Sequence, residues 1–516
     1  MPYYENLHIV KTAGKNAEWL VRHIVRNYCR PEIRAQLALS HQPLWELFPP
    51  VYRIAELVLT EGCKVMVAEE EYVDKDFLDE YAAFYCKGFA SPAPRCVRLH
   101  FFATEKISTE ELFDLERYDE NYLGYTIVRP IEAFITGRTI IQRRFRDGSR
   151  HFILSTAEFE SNLSGSKLRV TGMPFMQQDN NVGVCAQAAL WMVLLYCHRR
   201  HGLSRWLPSG ITECATRYLS HGWPKVGLSP EQLVEVLRSA GLNPLVIETP
   251  DTFSARDKAK LIYNYVESEI PVILFLRVVG GLHAVVAIGH TFDHRLSGIC
   301  EHHFAHNIDW IRNFYIHDDS RGPYQLMPVL HSPSGPYSVE KNVVGVLVPL
   351  DSGIRLRGDY AEGHAKWWIA RINNLFRLLT AIGPHNFDEF CFTEEELSGL
   401  VLRAYLRHSN VYKEALLHCA DMDFALRKEY RSRRLPKYIW VVEISREELL
   451  RKPRAELRQM IGEVLLDPTA SEQAPIASML FLHLYDVLVS VRIETGPVRY
   501  VVRRLSTGTP YRHAIR

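Results

Sequence analysis

With 516 residues, 47% of them hydrophobic and 23% charged, the chain has the makeup of an ordinary globular protein. It is too long for a single hydrophobic core, so roughly two to four domains are expected. Its 61 lysines and arginines balance 60 aspartates and glutamates, and a net charge of +1 excludes a global field that would draw nucleic acid or an anionic membrane. The 10 cysteines follow no framework pattern, which excludes a disulfide scaffold and points to reduced thiols in the cytoplasm.

Residues 1–165 read as a mixed α/β region. Met1 to His8 lacks the architecture of a signal peptide. Asn16 to Tyr28 patterns as a helix, Cys63 to Ala68 as a strand and Asp74 to Cys86 as a second helix. Ser108 followed by Glu111 is a capping-box pattern for a helix through about Tyr118. Gly124 to Val128 reads as a strand that stops at Pro130. Asp147-Gly148 marks a hairpin turn whose flanking arginines 143, 144, 146 and 150 read as a solvated rim. No internal repeat and no low-complexity segment is present.

Residues 166–350 carry the chemistry. The run Gln177-Gln178-Asp179-Asn180-Asn181-Val182-Gly183-Val184-Cys185 leads into an apolar stretch that reads as a buried helix through about Cys197. It is too short to span a bilayer. A thiol at a helix N-terminus feels the positive end of the helix dipole and unpaired backbone N–H groups, both of which favour a thiolate. Cys185 and Cys197 would lie about 18 Å apart on such a helix, too far to bridge. Ser229-Pro230-Glu231-Gln232 opens another helix with a capping box, ending near Gly241.

Pro271 to Val279 and His283 to Gly289 then read as two buried strands joined by Gly280-Gly281. A third, Asn313 to His317, ends at Asp318-Asp319. If the second and third strands pair antiparallel, His283 faces Asp318 or Asp319. A carboxylate there would orient the imidazole, as in a catalytic triad. Between these strands, His302 and His306 stand at i and i+4. They form a metal pair if helical, but no further ligand completes it and a solvated loop is the preferred reading.

The order glutamine, cysteine, histidine, aspartate in these contexts resembles the papain-like cysteine peptidases, and within them the bacteriocin-processing peptidases and their stand-alone relatives. The resemblance covers roughly residues 170 to 350. It implies that Cys185 is the nucleophile, His283 the base and Asp318 the orienting acid. Gln178, with the Cys185 N–H, would serve as oxyanion donor. Two alternates stay open. The family's glutamine usually stands six residues before the cysteine, whereas Gln178 stands seven before it and Gln177 eight. Alignment to papain's Asn-Ser-Trp-Gly points to Asp319 instead of Asp318. Ala186 follows the cysteine where papain has tryptophan, and the Cys-to-His separation is shorter than papain's.

Residues 351–516 form a third, α+β region. Thr393 to Glu396 and Ser445 to Glu448 are capping-box patterns, and Tyr438 to Ile444, Ile461 to Leu466 and Met479 to Val489 read as strands. Arg427 to Lys437 is a basic run read as a solvated linker.

The expected architecture is α+β, a papain-like domain of helix bundle plus antiparallel sheet flanked by two further mixed regions. The expected activity is a cytoplasmic cysteine hydrolase acting on a peptide or isopeptide bond, with no metal or organic cofactor. Transglutaminase- or deamidase-type acyl transfer is the alternative, and a non-catalytic binding scaffold a third class. The expected partners are a protein or peptide substrate and a regulatory protein. The flanking regions are large enough to select the substrate, or to cover the cleft until that regulator releases it.

Overall fold

A computed structural model describes residues 6–89, 91–145, 150–179, 185–217, 227–299, 304–333, 335–383, 387, 391–419, 422, 424–485, 487–492, 499–504 and 511–512. The fold is α+β, built mainly from antiparallel sheets. Among the described residues, no helix is long and apolar enough to cross a membrane.

The first sheet runs in the order β1 (Leu7–Lys11), β2 (Val65–Tyr72), β3 (Cys96–Phe102), β4 (Tyr122–Val128), β5 (Thr136–Ile141). On one face lie α1 (Ala17–Tyr28), α2 (Pro31–Leu39), α3 (Leu44–Leu47) and α4 (Pro49–Thr60). Alternation along β2 explains the layering: Met66 and Ala68 pack with those helices, while Val65 and Val67 turn to the opposite face. α5 (Lys75–Ala83) starts at Asp74, whose carboxylate accepts from the N–H groups of Asp76 and Phe77. The helix expected after Ser108 is instead two short 3-10 turns, Glu110–Phe113 and Leu115–Asn121. Ser108 spends its hydroxyl on the Glu110 carboxylate at 2.6 Å and caps nothing. The Asp147-Gly148 turn lies outside the described residues.

The chain then forms β6 (His151–Ile153) and the hairpin β7 (Ala157–Leu163) and β8 (Ser166–Gly172). α6 (Cys185–His201) follows, buried all round from Ala186 to Cys197, as a helix apolar on every face must be. α7 (Pro208–Thr216) and α8 (Pro230–Ser239) pack beside it, α8 with the expected Ser229/Gln232 capping box. The second sheet is made from β9 (Asn243–Glu248), β10 (Val272–Val278), β11 (Gly281–Thr291), β13 (Asn313–Asp318), β14 (Gly322–Pro328) and β15 (Val343–Leu350). α9 (Ala255–Val266) and α10 (Val339–Asn342) lie between its strands in sequence, and β12 (Ala305–His306) leaves it for the third sheet.

Both faces of the second sheet are buried. On β11, Ala284, Val286 and Ile288 join a core shared with α6 and the first sheet, while Val285 and Ala287 join a core shared with α9 and the third sheet. This is why β10 and β11 read as unbroken apolar runs. Strands also cross between units. β6 pairs with β11, and β12 pairs in parallel with β16 (Leu400–His408) of the third sheet.

α11 (Gly358–Ile382) and α12 (Glu394–Ser398), the latter with the Thr393/Glu396 capping box, precede β16. α13 (Ser409–Ala415) and α14 (Phe424–Ser432) follow it. Half of the basic run is therefore helix, not linker. The third sheet continues through β17 (Tyr438–Arg446), β19 (Gly462–Leu466), β20 (Met479–Leu484), β21 (Val487–Arg492) and β22 (Arg499–Arg504), while β18 (Gln459–Met460) pairs with β23 (Tyr511–Arg512). The Ser445 capping box does not form. Ser445 belongs to β17, and its hydroxyl donates to the Gln459 carbonyl at 2.6 Å. The stretch Met479 to Val489 is two strands, broken after Leu484, where Tyr485 sits at φ +51°.

A buried polar network ties the second and third sheets together. Arg403 on β16 donates to Glu443 on β17 at 2.6 and 2.7 Å and also pairs with Glu267, next to α9. Glu267 in turn contacts His290 on β11 at 2.7 Å.

Candidate active site

Cys185, His283, Asp318 and Asp319 are brought together at the mouth between α6 and the second sheet. Gly280 and Gly281 take φ of +95° and +144° in the turn after β10, so β11 folds back with His283 near its start. β11 and β13 pair antiparallel, with Val286 opposite His317. That register sets the end of β13 beside the start of β11, and the expected facing of histidine and acid is observed.

His283 Nε2 lies 3.0 Å from Asp318 Oδ1 and 3.7 Å from Asp319 Oδ1. Cys185 is close enough to the same imidazole to act on it. With Nε2 committed to Asp318, Nδ1 is the nitrogen left for the thiol. Asp318 Oδ1 also accepts from the Ser320 N–H at 3.0 Å and the Ser320 hydroxyl at 2.7 Å. This local Asx-type turn fixes the carboxylate before it reaches the histidine.

Burial pushes the His283 pKa down, but the Asp318 hydrogen bond, the nearby Cys185 side chain and both aspartate charges outweigh it and raise it to about 11. Asp318 is nearly fully buried, which alone would raise it. The hydrogen bond and charge of His283, with Ser320, hold it below its ordinary value. Asp319 goes the other way, to about 7, because burial and the adjacent Asp318 charge outweigh the pull of His283. At neutral pH His283 and Asp318 form an imidazolium–carboxylate pair.

The two glutamines are placed differently. Gln177 is buried and acts as a strand partner of β5: its N–H donates to the Thr136 carbonyl and its Oε1 accepts from the Thr136 N–H, each at 3.1 Å. Its amide is thereby fixed in orientation. Gln178 is half-exposed, and Arg129 Nη2 holds its carbonyl at 3.4 Å and that of Gln177 at 3.1 Å. The position six before Cys185 is Asp179, a buried acid. Residues 180–184 lie outside the described residues.

Three contributors carried no clear sequence signal. Tyr337 packs its ring 6.0 Å from that of His283 at 38°. Burial and then the Asp318 charge raise its hydroxyl to about 12, so it stays neutral. Arg129 belongs to the segment after β4, yet it shapes the lead-in to the cysteine. Arg53 on α4 donates to the carbonyls of Pro323 at 3.2 Å and Tyr324 at 2.6 Å, behind the acid turn. The Asp-x-Ser spacing of Asp318 and Ser320 was the one legible hint of this shell.

The described member of the histidine pair lies neither on a helix nor in the expected solvated loop. His306 lies in β12, not a helix. It is buried, its Nδ1 accepts from the Ile308 N–H at 2.9 Å, and its Nε2 lies 3.2 Å from Glu362. His302 lies outside the described residues. None of the nine described cysteines is paired.

Comparison with protein-family models and with curated proteins found no match.

Proposed function

We propose that the chain is a cysteine-dependent hydrolase of the papain-like kind, acting on a peptide or isopeptide bond. The observation that carries this is the grouping of Cys185 and Asp318 around the His283 imidazole, with Asp318 hydrogen-bonded to the ring and anchored by Ser320. Cys185 sulfur adds to the scissile carbonyl carbon, and the negative charge moves to the carbonyl oxygen. The Cys185 N–H and a glutamine amide, Gln178 or Gln177, donate to that oxygen. His283 passes its proton to the departing amine as the C–N bond breaks, leaving a thioester on Cys185. Water, deprotonated by His283, then attacks the thioester. The acid leaves, and the proton returns to the imidazole–thiol pair. Asp318 stays ionised throughout and keeps the ring aligned.

The substrate is a protein or peptide, and a regulatory protein partner acting on the flanking regions belongs to this reading. The nine unpaired cysteines fit a reducing, cytoplasmic setting. The test is limited alkylation with iodoacetamide followed by peptide mapping. Burial raises Cys29 to about 12, Cys63 to about 11 and Cys197 to about 12, so these thiols should be slow. Cys185 should label first, and His283→Ala should remove its advantage. Labelling of Cys86 ahead of Cys185 in the native chain would overturn the reading.

A further inference from the structure

The triad needs one carboxylate, and this site has two. Asp319 is 1% exposed, and neither of its carboxylate oxygens makes a hydrogen bond; Asp318 Oδ2 is likewise buried without a partner. Three unsatisfied carboxylate oxygens around one imidazole are costly, because a buried acceptor without a donor forfeits its water and gains nothing. A proton on Asp319 relieves part of this. A cation shared by the two residues would offset the charge of both carboxylates.

We propose that His283, Asp318 and Asp319 form a zinc(II) site that shuts off the thiol chemistry. One ligand atom from each residue lies within 4.8 Å of the others. Tetrahedral zinc with bonds of about 2.0–2.1 Å requires its ligand atoms to be about 3.3–3.4 Å apart. The two His283–carboxylate separations, 3.0 and 3.7 Å, straddle that value. One imidazole with two carboxylates suits a borderline first-row ion better than calcium or magnesium, which take oxygen. Three protein ligands leave a fourth position for solvent. The ion enters past His283, whose side chain is 11% exposed.

Binding zinc through Nε2 would displace the proton that this nitrogen shares with Asp318. An imidazole bound through Nε2 keeps its remaining proton on Nδ1, the nitrogen facing Cys185. It then has no lone pair with which to accept the proton of the thiol or of water. The ion acts as a lock, not as a participant. The regulatory half of this inference rests on the proposed cysteine chemistry; the binding half does not.

The experiment uses the full chain and two ions. Cobalt(II) is titrated and followed by its visible d–d absorption, and zinc(II) is added during iodoacetamide labelling. One equivalent of cobalt should bind with tetrahedral intensity and be displaced by zinc. Carbamidomethylated protein should bind it equally, because sulfur is not a ligand. Zinc at ten times its Kd should slow Cys185 labelling about 11-fold, the factor 1 + [Zn]/Kd. Asp319→Asn should lose both the cobalt spectrum and the zinc response, and Asp319→Glu should recover part of the spectrum. No cobalt spectrum in a protein whose Cys185 still labels first would overturn the zinc site and leave the hydrolase reading standing. A sulfur-to-cobalt charge-transfer band, or binding that survives Asp319→Asn, would place the ion elsewhere and overturn it too. Binding as described with an inert Cys185 would instead sink the hydrolase reading.

Discussion

Gly322→Ala is the sharpest probe of how the first 165 residues support the site. Gly322 closes the acid turn opposite Asp318 and adopts φ +112°, a conformation that L residues rarely take. A Cβ there would lie 2.8 Å from Arg53 Cβ, 3.0 Å from Arg53 Cγ and 3.2 Å from Pro50 Cα. None of these atoms is the free end of a flexible chain, so α4 itself must move. Backbone strain at such a position costs about 1–3 kcal/mol, and overpacking a close contact about 1–3 kcal/mol more. The sum, about 2–6 kcal/mol, is a large part of the stability of a typical fold. Displacing Arg53 also loosens its two hydrogen bonds behind the acid turn. The assay is urea unfolding paired with the Cys185 alkylation rate. Stability should fall by that amount, and labelling should slow as Asp318 drifts from His283. Native stability with native labelling would refute the idea that the turn is braced by α4.

His283→Ala should cut turnover by about 10³-fold or more, because it removes general acid and base together, whereas Asp318→Asn should retain measurable activity; the reverse order in steady-state kinetics would reassign the roles. Arg403→Met should destabilise by about 3–5 kcal/mol in urea unfolding, since it strands Glu267 and Glu443 in the interior. Glu463 supplies a pH test. It is fully buried, and burial raises its pKa from 4.5 to about 7 despite its bond to Tyr412. A raised acid costs nothing below pH 4.5, and its penalty grows as pH climbs to about 7, reaching at most about 3 kcal/mol above that. Glu463→Gln should therefore match the native chain at pH 4.5 and exceed it at pH 8, and a pH-independent difference in unfolding free energy would contradict this.

What was legible in the chain were features that need a particular residue at a particular place. Gly280-Gly281 marked the turn before His283, Ser229 and Gln232 marked a helix start, and the end of β13 at Asp318 set the acid opposite the histidine. What stayed hidden depends on long-range partners. Ser445 reads as a cap until β17 is extended through it by pairing with β16. Tyr485 turns the chain without glycine, so the hairpin of β20 and β21 reads as one strand. His306 reads as a loop histidine because nothing local announces that β12 crosses to another sheet. Tyr337 and Arg129 reach the site from segments that carry no chemistry of their own.

The two crossing strands impose an order on synthesis. When β11 leaves the ribosome, β6 has already been made and can pair at once. β12 has no such partner until β16 follows, nearly a hundred residues later. Until then the α9-facing side of the second sheet, with Leu274, Val285 and Val346, lacks the cover that α11 and the third sheet later add to that of α9. A nascent chain that stops near residue 350 would expose the part of this apolar core that α11 and the third sheet later cover, the hallmark of a sticky intermediate. The residues of the candidate site through Ser320 are thus made before the elements that secure the sheet behind them. Chaperone capture in that interval, or a pause in translation within it, would decide how much of the protein reaches a usable state.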